Sequence, residues 1–96
     1  MRTTYIVTYD VCDPKRLRKA FKVCKAYGTH LQLSVFECDL SAADLVKLKG
    51  ELNEIINSAE DQVLFVELGP TNTRGQRVIG SLGVPYSKMD AACYVI

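Results

Sequence analysis

Apolar and polar side chains alternate along residues 3–9 (TTYIVTY), a run rich in β-branched and aromatic residues that predicts a strand. Tyr5, Val7 and Tyr9 fall on one face; Ile6, Thr8 and Asp10 fall on the other, with Asp10 at the strand's C-terminal end. The period then changes. Leu17, Ala20, Phe21, Cys24 and Tyr27 recur at helical spacing. Asp13 as N-cap and Pro14 as first helical residue open that helix, and Gly28 closes it. Residues 31–39 (LQLSVFECD) read as extended, with Leu31, Leu33 and Val35 facing one way and Gln32, Ser34 and Phe36 the other. Ser41 with Asp44 resembles a capping box, and Leu45, Leu48, Leu52, Ile55 and Ile56 predict a second amphipathic helix ending near Asn57. Residues 62–68 (QVLFVEL) form a third strand, stopped by Gly69-Pro70. Residues 71–76 read as a loop, 78–79 as a short strand, 80–90 as irregular and 92–96 (ACYVI) as an apolar edge strand.

The order strand, helix, strand, helix, strand predicts an α+β sandwich with two helices on one sheet. A split β-α-β arrangement fits best and calls for a hairpin between the helices. Residues 31–40 contain no Gly, Pro or Asn to turn one, so a kinked or bulged strand is expected there. The helices cover one sheet face. The other face carries either Tyr5, Val7 and Tyr9 or Ile6 and Thr8, and a short chain buries it most economically by dimerising. The apolar C-terminal tail could add a strand to a partner's sheet edge.

Length and composition narrow the class. A chain of 96 residues, 48% hydrophobic and 24% charged, is one small globular domain. No apolar run is long enough to span a membrane, and the N-terminal stretch does not read as a secretion signal, so a cytoplasmic location is expected. Cys12, Cys24, Cys38 and Cys93 form no C-x-x-C pair, and the single histidine, His30, has no metal-ligand spacing to them. Neither a zinc site nor a disulfide framework is expected; the thiols read as small hydrophobes.

A formal charge of +1 conceals strong polarity. Residues 1–36 hold seven basic and two acidic residues, 37–67 two basic and eight acidic, and 68–96 three basic and one acidic, giving net charges of +5, −6 and +2. The first helix contributes Lys15, Arg16, Arg18, Lys19, Lys22 and Lys25, so its exposed part is wholly basic and suits phosphate. Asp10 sits where the first strand ends, just before that helix. A carboxylate there can hold a hard divalent cation; it can equally be a turn residue bonded to its own loop. If Asp10 lies near a twofold axis, two copies can share one task. His30, beside the basic helix, is a candidate phosphate contact. No Ser-His-carboxylate set and no Gly-rich phosphate loop occurs.

Residues 5–13 (YIVTYDVCD), the basic run 15–19 (KRLRK), Tyr27-Gly28 and residues 32–37 (QLSVFE) together resemble the CRISPR-associated protein two family, and the likeness extends through 62–68 and 78–80. The resemblance implies a ferredoxin-like βαββαβ sandwich with an extra C-terminal strand, one domain over residues 1–96, and a homodimer exchanging residues 77–96. It implies a CRISPR-associated, metal-dependent endonuclease acting on RNA or double-stranded DNA, and a DNA-binding subunit of spacer acquisition that meets the CRISPR integrase. Asp10 would be the catalytic residue and ligand of Mg²⁺ (or Mn²⁺). Arg16, Arg18 and Lys19 would contact phosphates, and Tyr9, Ser34 and Phe36 are motif positions. His30 stands where family members often have arginine, and Leu33 where they have Tyr or Lys. Two other readings share this fold: a non-catalytic scaffold bridging integrase dimers on DNA, and a toxin ribonuclease of the virulence-associated D type.

Overall fold

Val7 and Tyr9 of the first strand, β1 (Thr3–Asp10), point into a core shared with two helices, α1 (Pro14–Tyr27) and α2 (Ala42–Ile55). The remaining strands are β2 (Thr29–Gln32), β3 (Val35–Leu40) and β4 (Gln62–Pro70), and a short helix α3 (Thr71–Arg74) follows. This computed structural model describes residues 1–74 and 82–83. The expected strands at 78–79 and 92–96, the rest of the 80–90 stretch and the exchange tail lie outside the described residues. Among the described residues the three strand pairings are antiparallel, in the order β2-β3-β1-β4. With both long helices on one face, this is the ferredoxin-like split β-α-β arrangement.

The helix boundaries follow from their caps. The Asp13 carboxylate accepts the Arg16 N–H at 3.0 Å, and the Ser41 hydroxyl accepts the Asp44 N–H at 3.1 Å. α1 ends where the Gly28 N–H bonds the Cys24 carbonyl. The backbone of Gly28 is extended, so the glycine is needed for space: a Cβ there would lie 2.4 Å from Cys38 Sγ and 2.5 Å from the Glu37 carbonyl oxygen. α2 buries Leu48 and Leu52 against Phe36, Cys38 and Leu40 of β3 and Ala20, Phe21 and Cys24 of α1. Burial pushes the Cys24 thiol up to about 12 and Cys38 up to about 11, as suits inert core residues.

Three expectations need correction. The continuous strand at 31–39 is two strands joined at Leu33-Ser34. Leu33 takes φ +36°, a left-handed conformation usually left to Gly or Asn. His30 holds this turn. It is 6% exposed, its Nε2–H donates to the Leu33 carbonyl at 2.6 Å, and its ring stacks on Phe36 with centroids 4.8 Å apart. The expected common face of Leu31, Leu33 and Val35 is therefore broken at the turn, and Phe36, Cys38 and Leu40 line the core. Second, β4 continues through Gly69-Pro70, which pair with Thr4 and Thr3 across a register shift. At the edge of the sheet among the described residues, β4 tolerates a proline, and Gly69 supplies φ +113°. Third, residues 71–74 form a helical turn in place of a loop, its Thr71 N–H bonded to the Arg2 carbonyl.

Candidate functional site

The C-terminal end of β1 gathers several of the predicted residues. Asp10 is exposed and pairs across the sheet with Gln62, the first residue of β4. By strand alternation its side chain shares the helix-free face with Ile6 and Thr8. On the other flank, the Tyr9 N–H donates to the Ser34 carbonyl at 3.2 Å, tying the strand end to the β2–β3 turn. Tyr9 itself is buried and stacks near Phe36, with ring centroids 6.2 Å apart; burial raises its hydroxyl pKa well above the ordinary value. Tyr9, Ser34 and Phe36 therefore shape this end of the sheet from within.

Asp61, which the sequence did not single out, organises the other side. Its side chain is 0% exposed, yet it is charged. Arg16 Nε donates to Oδ2 at 2.8 Å and Arg16 Nη2 to Oδ1 at 3.2 Å. The Cys12 N–H reaches Oδ1 at 2.9 Å and the Asn57 N–H reaches Oδ2 at 2.8 Å. Arg16, with the Asn57 and Cys12 amides, holds the Asp61 carboxyl well below the usual carboxylate range. Glu60 adds a second ion pair to Arg16 at 3.2 Å. No local signal announces the pairing with Arg16, because the two residues lie 45 positions apart in the chain.

Arg16, expected as a phosphate contact, pairs with Asp61 and Glu60 and keeps 25% of its side chain exposed. His30, also expected as a phosphate contact, is buried with its ring packed between Phe21 and Phe36. Lys15, Arg18, Lys19, Lys22 and Lys25 remain exposed along α1, and among the described residues none of them forms a salt bridge. The basic face therefore keeps five charges.

A sequence model of the family described as CRISPR associated protein Cas2 matches residues 2–75. The chain belongs to the Cas2 family. A relative from Geobacter sulfurreducens, named CRISPR-associated endoribonuclease Cas2, is 46% identical over 70 residues, covering 73% of this chain and 74% of its own. One from Halalkalibacterium halodurans, named CRISPR-associated endonuclease Cas2, is 41% identical over 69 residues, covering 67% and 72%. The crystal structure of Streptococcus pyogenes Cas2 superposes with a TM-score of 0.67 at 38% identity, covering 80% of this chain and 99% of that one. The Cas2 fold thus accounts for the strand order, and membership in this family sets the toxin reading aside.

The donor set limits what metal this Cas2-family chain can take. Among the described residues, no three of His, Cys, Asp or Glu converge to form a cage. Asp13 is engaged as a helix cap, and both oxygens of Asp61 are engaged by donors. Asp10 is left as a single exposed carboxylate. That fits a hard divalent ion that keeps several waters and completes its shell with substrate phosphate; it does not fit a closed structural site.

Proposed function

We propose that this chain is a divalent-metal-dependent endonuclease of CRISPR antiviral defence, working in the cytoplasm as a homodimer on RNA or double-stranded DNA. The observation that carries the reading is Asp10: an exposed carboxylate at a strand end whose flanking backbone is tied on both sides. The nuclease names of its relatives support it. Lys15, Arg18, Lys19 and Lys22 attract the phosphate backbone without reading bases. The Asp10 carboxylate supplies the anionic oxygens for Mg²⁺ or Mn²⁺. When bound, such an ion activates water and stabilises charge on a scissile phosphate.

The sheet supports the dimer reading. Its helix-free face presents Ile6, Thr8, Val35, Leu64 and Val66 in adjoining rows, with Leu64 48% and Val66 49% exposed. A second copy seated there would shield these residues and bring a second Asp10 towards the first. The same dimer would serve spacer acquisition by meeting the integrase subunit. The lone carboxylate also favours a second reading, a non-catalytic scaffold that grips DNA through two basic helices.

Asp10→Ala separates the two. The nuclease reading expects the variant to fold, dimerise and bind nucleic acid as before, with Mg²⁺-dependent cleavage reduced by about 10²-fold or more. Cleavage at the unaltered rate by the variant would leave the scaffold reading standing.

A further inference from the structure

Among the described residues, no side-chain hydrogen bond orients the Asp10 carboxylate; its direction is set by the backbone on either side. That backbone is fixed by one buried group. Two residues after Asp10, the Cys12 N–H is held at 2.9 Å by Asp61. Across the sheet, the pairing partner of Asp10 is Gln62, the residue directly after Asp61. Asp61 is itself immobilised by the Asn57 N–H at 2.8 Å and by two bonds from Arg16, from the first turn of α1. A bidentate guanidinium-carboxylate pair carries direction as well as energy.

We propose that Asp61 and Arg16 are positioning residues for the Asp10 carboxylate. The inference rests on the reading of Asp10 as the metal-binding, catalytic group. Both side chains are engaged within the protein: each oxygen of Asp61 accepts protein N–H groups, and Arg16 directs Nε and Nη2 onto Asp61 and Glu60. Their common effect is to hold the loop after β1, the start of β4 and the first turn of α1 as one unit. A carboxylate displaced by about 1 Å can lose roughly 10²-fold in rate, so rigidity here has catalytic weight.

The test uses full-length protein carrying Asp61→Asn or Arg16→Lys, with Tyr27→Phe as a stability control. Tyr27 donates to Glu51 across the two helices, away from Asp10. Cleavage of one defined substrate is followed with Mg²⁺ well below the unfolding temperature. Mn²⁺ affinity is read by electron paramagnetic resonance, and Cys12 amide exchange by NMR. We expect Asp61→Asn to lower kcat about 30-fold with KM within about threefold, to weaken Mn²⁺ about tenfold, and to speed Cys12 exchange at least about tenfold. Arg16→Lys keeps the charge but loses the fork, and should fall between it and the unaltered protein. Tyr27→Phe should lower the unfolding temperature and leave kcat and Mn²⁺ affinity alone.

A folded Asp61→Asn protein with unaltered kcat and Mn²⁺ affinity overturns the inference. If Asp61→Asn does not fold, Arg16→Lys decides by the same readouts. Failure of the underlying reading looks different: Asp10→Ala would then cleave normally. In that event Cys12 exchange in Asp61→Asn still answers whether Asp61 sets the backbone beside residue 10; unaltered exchange refutes it.

Discussion

Asp61 carries a negative charge with its side chain out of water, and four N–H bonds make that tolerable. The cost of this arrangement appears in acid. The folded carboxyl titrates below its unfolded counterpart, whose pKa is about 3.9. Its stabilising contribution is therefore complete above about pH 5 and is lost progressively as pH falls below about 4. Asp61→Asn should flatten that part of the stability curve while lowering stability at neutral pH; denaturant titrations from about pH 7 to pH 3 check both. Gly28 offers a second residue-scale expectation. A methyl group there meets Cys38 Sγ and a β3 carbonyl that cannot both retreat, so Gly28→Ala should cost about 1–3 kcal/mol in denaturant unfolding. The sequence already marked Asp10, because its place before a basic helix is local information. The burial of His30 and the pairing of Arg16 were not legible, because each depends on residues brought in by the sheet.

At the scale of elements, the exposed stripe of α1 is where nucleic-acid affinity should reside. Charge reversal at Arg18 and Lys22 should weaken binding and reduce the slope of log K against log salt by about one unit for each phosphate no longer neutralised. Binding isotherms at several salt concentrations measure this. An unchanged slope would place the nucleic-acid surface elsewhere. Gly50 in the middle of α2 has open space around it and an exposed position, so Gly50→Ala should stabilise the helix by about 0.5–1 kcal/mol, seen as a higher unfolding temperature. Both long helices were readable because their caps and apolar stripes are local. The β2–β3 hairpin was not: a leucine in the left-handed region carries no turn signature, and the bond from His30 that holds it forms only in the folded sheet.

For the whole molecule, the decisive feature is the sheet face that the helices leave open. Ile6, Val35, Leu64 and Val66 give it a continuous apolar strip, with Asp10 at one end of β1. On the proposed dimer, Val66→Lys should halve the mass seen by sedimentation and, by keeping the two Asp10 carboxylates apart, suppress the proposed metal-dependent cleavage. A monomeric variant with full activity would remove the link between dimer and catalysis.

The amino-acid pattern alone determined both long helices and their N-terminal caps, the strands at 3–10 and 62–68, the basic face of α1 and the place of Asp10 at a strand end. These are short-range properties, settled by periodicity and by side chains a few residues apart. Tertiary structure decided which face of β1 is covered, that 31–39 folds back on itself, and that Arg16 serves Asp61. Those outcomes depend on groups tens of residues apart, whose interaction energies exist only once the sheet has closed and water has left the spaces between its strands and helices.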